Sequence, residues 1–240
     1  MILKNKNVLI TGASGGLGSA MAKEYFKKGC NLFLTGYTLE KLSDLCEELQ
    51  QNNFFDAVIK CRVCNFNDSD DILNFIKHVK EEFVQIDIII NCAGVFPIKS
   101  IEEMDINQYR ECIEVNLTAP FILIKEFSKE MIKNKWGRII NIASSSAYSG
   151  TALTSAYCAS KHALLGLSRA LHKELKCHNV RVFCVSPGSI QTPMGEKTVA
   201  LGQSYETFMK PEEVAEYVAF ATAFDGHMIS EEIRLNRIIA

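Results

Sequence analysis

Tyr157 and Lys161 stand four residues apart, a spacing that on a helix places two side chains on one face, one turn apart. Such a pair can handle protons. A free tyrosine titrates near pH ~10, too high for efficient proton exchange at neutrality, and a cation within about 4–6 Å favours the phenolate and lowers that value. Lys161 is placed to be that cation. Far upstream, Thr11 to Gly18 reads T-G-A-S-G-G-L-G. Without a Cβ at Gly12, Gly16 and Gly18, the chain can turn tightly and approach a ligand closely. A helix opening there would aim bare N–H groups and its positive dipole end at a phosphate. A glycine turn alone is weak evidence, because plain tight turns also use glycine. It gains meaning only with a strand before it and a helix after it.

The elements that must hold these groups are legible as short apolar, β-rich runs at residues 8–10, 32–34, 57–63, 86–90, 139–142 and 180–185. Six strands are expected. Between them lie segments with helical spacing, such as Leu164, Leu167, Leu171 and Leu175. Alternating strands and helices, with the strands apolar on both faces, predict a doubly wound α/β fold: a parallel sheet with helices on each side. No Pro/Gly/Ser-rich linker interrupts it, so residues 1–240 are expected to form a single domain. The residues that follow the runs are small or polar: Thr11-Gly12, Thr35-Gly36-Tyr37, Asn65, Asn91-Cys92-Ala93-Gly94, Ser144-Ser145-Ser146 and Ser186-Pro187-Gly188. In an open parallel sheet these carboxyl ends border one crevice, where ligands bind.

The spacing T-G-x-x-x-G-x-G after the first strand resembles the short-chain dehydrogenase/reductase family, and further motifs match in order along nearly the whole chain. Asn91-Cys92-Ala93-Gly94 is similar to the family's N-N-A-G, Asn116 to its helix asparagine and Ser144 to its catalytic serine. Tyr157-x-x-x-Lys161 is similar to its active dyad, and Pro187-Gly188 with Thr192 to its cofactor-closing loop. The resemblance implies a Rossmann-type oxidoreductase that passes a hydride between a nicotinamide cofactor and a carbonyl or secondary alcohol. Tyr157 would be the acid/base, Ser144 would hydrogen-bond the reacting oxygen, and Lys161 would also hold the nicotinamide ribose. Asn116 would hold a water that relays protons from Lys161, or else satisfy local backbone groups.

For the cofactor, the resemblance implies contacts from Gly12, Ser14, Gly15, Gly16, Leu17 and Gly18 at the phosphates and from Asn65 at the adenine, with Phe66 packing nearby. Asn91, Ala93 and Gly94 would border the ribose, although Asn91 could equally bind neighbouring backbone. Pro187, Gly188, Ile190 and Thr192 would cover the carboxamide. NAD sites want a carboxylate at the end of strand two. Here Thr35-Gly36-Tyr37 stands there, which favours NADP over NAD, with Lys41, Ser14, Tyr37 and Thr38 as candidate phosphate partners.

The substrate is less defined. A 3-oxoacyl-carrier-protein reductase is one expectation, with Lys135 and His178 at the relevant basic positions; a reductase of sugars or other polar ketones is another. A non-catalytic, cofactor-sensing protein is a third, disfavoured by the presence of both Tyr157 and Lys161. Residues 189–209 are read as a substrate loop, shorter than a helical lid. Gly195, Gly202, Gln203, Ser204 and Thr207 weaken helix there, so a mobile, partly closed cover and a polar substrate are expected. The C-terminal residues 229–240 lack the family's frequent aspartate-glycine-glycine ending. In relatives, helices around 107–133 and 157–177 pair across a two-fold axis, which implies a homodimer or homotetramer.

Composition sets the outer bounds. With 26 Lys plus Arg against 28 Asp plus Glu, the net charge is −2, and no block of like charges invites nucleic acid or an anionic membrane. No apolar run approaches the ~18 residues of a membrane span, and no signal-like segment opens the chain, so a cytoplasmic location is expected. Nine cysteines are an odd number in a chain with an ample core, which favours reduced thiols over a disulfide framework. Cys61 and Cys64 form one C-x-x-C in a strand-like run where residues three apart face opposite ways, so no metal site is expected.

Overall fold

The computed structural model describes residues 3–53 and 55–238. Its strands follow the apolar runs. The first, β1 (Asn7–Ile10), is buried on both faces beyond its opening residue and leads through the glycine turn into α1 (Gly16–Lys27). There follow β2 (Asn31–Gly36), α2 (Leu39–Gln51), β3 (Ile59–Val63), α3 (Ser69–Glu82) and β4 (Ile88–Asn91). The second half holds α4 (Ile106–Ile113), α5 (Ala119–Lys133), β5 (Gly137–Ile142), α6 (Ser155–Leu175) and β6 (Val180–Pro187). It closes with α7 (Pro193–Glu196), α8 (Pro211–Thr222) and β7 (Glu232–Leu235).

All pairings are parallel, and the strand order is β3-β2-β1-β4-β5-β6-β7. Chain direction across the sheet reverses between β1 and β4, and the crevice at such a switch point is where an open sheet binds ligands. One core layer packs α1, α2 and α8 on the sheet through residues such as Met21, Leu42, Leu45 and Val218. The other packs α3, α5 and the end of α6 through Phe75, Ile76, Phe127 and Leu175. Burying each such side chain contributes about 1.5–3 kcal/mol.

Three sequence expectations need correction. A seventh strand, β7, exists; it lies at the edge, pairs only with β6, and buries Ile233 between Glu232 and Arg234, so no apolar run betrays it. The third strand begins at Ile59 rather than 57, because the Asn53 side chain binds both the N–H and the carbonyl of Ala57 and bends the chain there. The helix expected over 107–133 is divided by a π turn, Glu114–Thr118. Pro120, in the first turn of α5, has no N–H to close an α-helical bond onto residue 116, and the chain widens at that point. The reading of Cys61 and Cys64 agrees with their positions: Cys61 packs against one core layer, Cys64 against the other, and both thiols are free.

Candidate active site

The crevice is built from strand ends. Just past β1, Thr11 turns its hydroxyl toward β4 and accepts from the backbone N–H groups of Cys92 and Ala93, each at 3.0 Å. Gly12 sits at φ +67, and a Cβ there would lie 2.8 Å from the Ala93 Cα, so only glycine lets the two strand ends approach this closely. Next comes the N-terminus of α1. Its N-cap, Gly15, supplies no side-chain cap, and no acidic residue occupies the first turn. The orphan N–H groups therefore open onto a cleft of about 360 Å³ lined by Ser14, Gly15, Gly16 and Leu17 at this end.

At the other end of the cleft, Ser144 follows β5 and caps a 3₁₀ turn, its hydroxyl accepting from the Ser146 N–H at 3.1 Å. That turn brings the Ser144 hydroxyl against the Tyr157 phenol, whose ring packs edge-on to Phe96 with centroids 4.6 Å apart. Lys161 is buried one turn along α6, its ammonium donating to the Ile142 carbonyl at 2.8 Å and lying 5.6 Å from the Tyr157 ring centroid.

Burial dominates the titrations here. It pushes the Tyr157 phenol up to about 12, with the Ser144 hydrogen bond pulling modestly the other way. It also draws the Lys161 amine down to about 8. Desolvation thus weighs against the charged form of each group, and the Lys161 ammonium is engaged by the Ile142 carbonyl.

Of the sequence-predicted residues, Gly12, Ser14, Gly15, Gly16, Leu17, Gly18, Gly94, Ser144, Tyr157, Lys161, Pro187, Gly188, Ile190 and Thr192 all line this cleft. Others do not. Asn91 lies within the sheet and donates to Asn141 at 2.8 Å, Phe66 packs in the core against Phe75, and Asn65 binds its own turn through the Asn67 N–H. Ala93 stands behind Gly12, and Tyr37 is 85% exposed at the rim. The Asn116 amide is fully engaged by the Val95 backbone, accepting from its N–H at 2.9 Å and donating to its carbonyl at 3.0 Å, and it also reaches Ser160 at 3.0 Å. Its side chain thus ties the π turn to the strand end after β4.

Sequence reasoning reached the substrate end through the loop read over 189–209, which supplies Met194, Leu201 and Gln203. It missed Phe96, Ser149, Thr151 and Thr154, which line the same end. No spacing marks them, although Phe96 follows the Asn-x-Ala-Gly motif by two residues. The 189–209 segment also carries more helix than its glycines and polar residues predict. It forms α7 and two 3₁₀ turns, begun by Thr192 capping the Gly195 N–H at 3.0 Å with Pro193 in the first turn.

A dinucleotide fits these residues: uncapped helix N–H groups face anionic phosphates at one end, and at the other an amine and two hydroxyls surround the place of a reacting oxygen. Comparison with known proteins agrees. The family model "short chain dehydrogenase" matches residues 6–201. A 3-oxoacyl-(acyl-carrier-protein) reductase from Rickettsia conorii is 34% identical, covering 95% of this chain and 93% of its own. The crystal structure of a metagenomic short-chain oxidoreductase in complex with NADP has a TM-score of 0.86 at 29% identity, covering 100% of both chains. A putative NAD(P)-dependent gluconate 5-dehydrogenase from Beutenbergia cavernae, with bound NADP, has a TM-score of 0.84 at 26% identity over 98% of this chain and 95% of its own. The chain therefore belongs to the short-chain dehydrogenase family and is an NAD(P)-dependent oxidoreductase.

Proposed function

We propose that the protein is an NADPH-dependent reductase of small, uncharged polar ketones, with Tyr157 as proton donor. The observation that carries this reading is the meeting of Ser144, Tyr157 and Lys161 at one end of a cleft whose other end is the open N-terminus of α1. When bound, the nicotinamide supplies the hydride. The chain handles oxygen and proton. Tyr157, a neutral phenol across the neutral range, donates its proton to the carbonyl oxygen as charge develops there, and the Ser144 hydroxyl hydrogen-bonds the same oxygen. Lys161 provides the buried positive charge that favours the resulting phenolate and binds cofactor hydroxyls. Asn116 positions residues 94–96, the floor beneath both ligands, through its grip on Val95.

The preference for NADP rests on the end of β2. No carboxylate stands there, and a Cβ at Gly36 would lie 2.3 Å from the Ser14 Oγ, so a larger residue would have to displace Ser14. Lys41 lines the cleft beside Ser14 and is the cation available to a 2′-phosphate. The NADP found in the two structural relatives supports the same choice.

The substrate class rests on the lining. Among the described residues Lys41 and Lys161 are its only charged ones, and the substrate end offers Ser146, Ser149, Thr151 and Gln203 with Phe96 and Leu201. Hydroxyls and an amide suit a polar, uncharged molecule. The second reading, a carrier-protein ketoacyl reductase, is favoured by the Rickettsia relative. Against it, Lys135 and His178 lie at the amino edge of the sheet, where Asn179 donates to the Lys135 carbonyl at 3.1 Å. The length of β5, about 20 Å at ~3.3 Å per residue, separates them from the cleft of their own chain. NADPH oxidation against simple ketones, keto sugars and ketoacyl thioesters tests the reading. Turnover of small polar ketones is expected; efficient turnover confined to long-chain thioesters overturns it.

A homodimer or homotetramer is supported by the outward face of α6, where Ala159, Ala163, Gly166 and Ala170 are exposed. Small residues there allow close helix approach. Nine free thiols suit a reducing compartment such as the cytoplasm. No helix among the described residues is long and apolar enough to cross a membrane.

A further inference from the structure

The C-terminal segment has no place in the chemistry above, yet it touches the cover of the cleft. After β7, the Leu235 carbonyl accepts from the Gly188 N–H at 2.8 Å, at the root of the segment that leaves β6. Two residues on, Arg237 donates from Nη1 to the Thr207 Oγ1 at 2.9 Å, and its guanidinium lies 5.7 Å from the Phe208 ring centroid. The cover is thus held at both ends. Its entry and exit strands are zipped together, Met209 N–H to Ser189 carbonyl at 3.1 Å and Gln191 N–H to Met209 carbonyl at 2.9 Å. Between them run α7 and the 3₁₀ turns that carry Met194, Leu201 and Gln203 over the substrate end, with Ser189 hydrogen-bonded to Gln203 across the span. Phe208 is buried and packs on Tyr205, with centroids 5.3 Å apart, so it forms the hinge side of the exit turn.

We propose that Arg237 is a positioning residue that latches the exit of the substrate cover, residues 204–208, to the C-terminal strand. The latch joins two parts of the chain separated by thirty positions, and it acts on the edge of the cover rather than on any ligand. A charged donor on a hydroxyl, reinforced by a cation over a ring, ties this exit turn to the C-terminal segment beyond its own local turns. Residues 193–203 move over the substrate only as far as their exit allows, so releasing Arg237 should loosen the cover without touching the catalytic groups. The argument rests on residues 189–209 covering the cleft, and not on the choice of ketone.

Hydrogen exchange of the full chain saturated with NADPH tests it, using Arg237→Ala, Arg237→Lys, Thr207→Val and the double variant Arg237→Ala/Thr207→Val. Exchange across 204–209 is expected to rise several-fold in Arg237→Ala, to be partly restored in Arg237→Lys, and to rise no further in the double variant. Strands β1 to β6 should exchange as in the parent, and Tm should stay within a few degrees. With ethyl acetoacetate as substrate, KM should rise about tenfold with kcat within twofold. Unchanged exchange over 204–209 in Arg237→Ala, or fully additive effects in the double variant, would overturn the latch. Because exchange needs no turnover, a protein inactive on ethyl acetoacetate would count against the proposed substrate class and leave the latch to be judged on exchange alone.

Discussion

Lys161 is buried and Tyr157 half-buried, and desolvation works against the charged form of each, which shapes what each can do. Burial pushes the phenol up to about 12, so the packing of this chain favours the acid form. Tyr157→Phe should leave NADPH affinity within twofold while reducing turnover by at least ~10²-fold, the scale of a positioned acid. Fluorescence titration and steady-state kinetics on the same preparation check both halves. Lys161 titrates near 8, well below an ordinary lysine. An anionic cofactor favours the ammonium, so the bound value lies above the free one, and affinity is full below pH 8 and declines as pH rises through it. NADPH Kd measured from pH 6 to 10 should therefore climb on the alkaline side. In Lys161→Met the inflection should vanish; a curve of unchanged shape would assign the titration to another group.

Among the elements, the loop from β2 into α2 is where the proposed cofactor choice lies. Gly36 leaves room for the Ser14 hydroxyl, Tyr37 points to solvent, and Lys41 returns to the cleft one turn into the helix. Lys41→Ala should reduce NADPH affinity about tenfold and leave NADH affinity nearly unchanged, the scale of one charge-assisted contact. Tyr37→Arg should widen the preference in the opposite sense by adding a second phosphate partner. Equal losses for NADH and NADPH in Lys41→Ala would count against the assignment. The π turn belongs to this scale too. It exists because Pro120 cannot donate, and it sits where Asn116 must reach the Val95 backbone, so Pro120→Ala should tighten the helix and displace that grip. Raised KM for both cofactor and ketone, with Tm unchanged or higher, is the expected signature.

For the whole molecule, a seven-stranded sheet with two helical layers leaves the cleft along one edge and the outer face of α6 free for a partner. Ala163 and Gly166 lie on that face, and among the described residues nothing beyond the neighbouring turns of α6 itself stands within 4 Å of a Cβ placed at Gly166. Light scattering at micromolar concentration should give at least a dimer, and Ala163→Arg should shift it toward monomer while far-ultraviolet circular dichroism stays the same. A monomeric parent protein would remove the assembly proposal and leave the site untouched.

Periodicity and glycine spacing carried the doubly wound sheet, the cleft at its carboxyl edge, and the shared helix face of Tyr157 and Lys161, because those features depend on local pattern: apolar runs make strands, four-residue steps make helix faces, and missing Cβ atoms make close turns. Ser144 came from the family resemblance instead, since no spacing ties it to Tyr157. Strand β7 escaped, since an edge strand needs only Ile233 buried and offers no run to read. Asn65, Phe66 and Asn91 matched a motif but were claimed by a turn, a core and a neighbouring strand. Substrate-end residues such as Phe96, Thr151 and Gln203 come from loops far apart in sequence, and only folding brings them to one wall. Charge followed the same division. The four-residue step set Lys161 beside Tyr157, but burial, a property of the packed molecule alone, moved both away from their ordinary titrations and turned the ammonium toward Ile142.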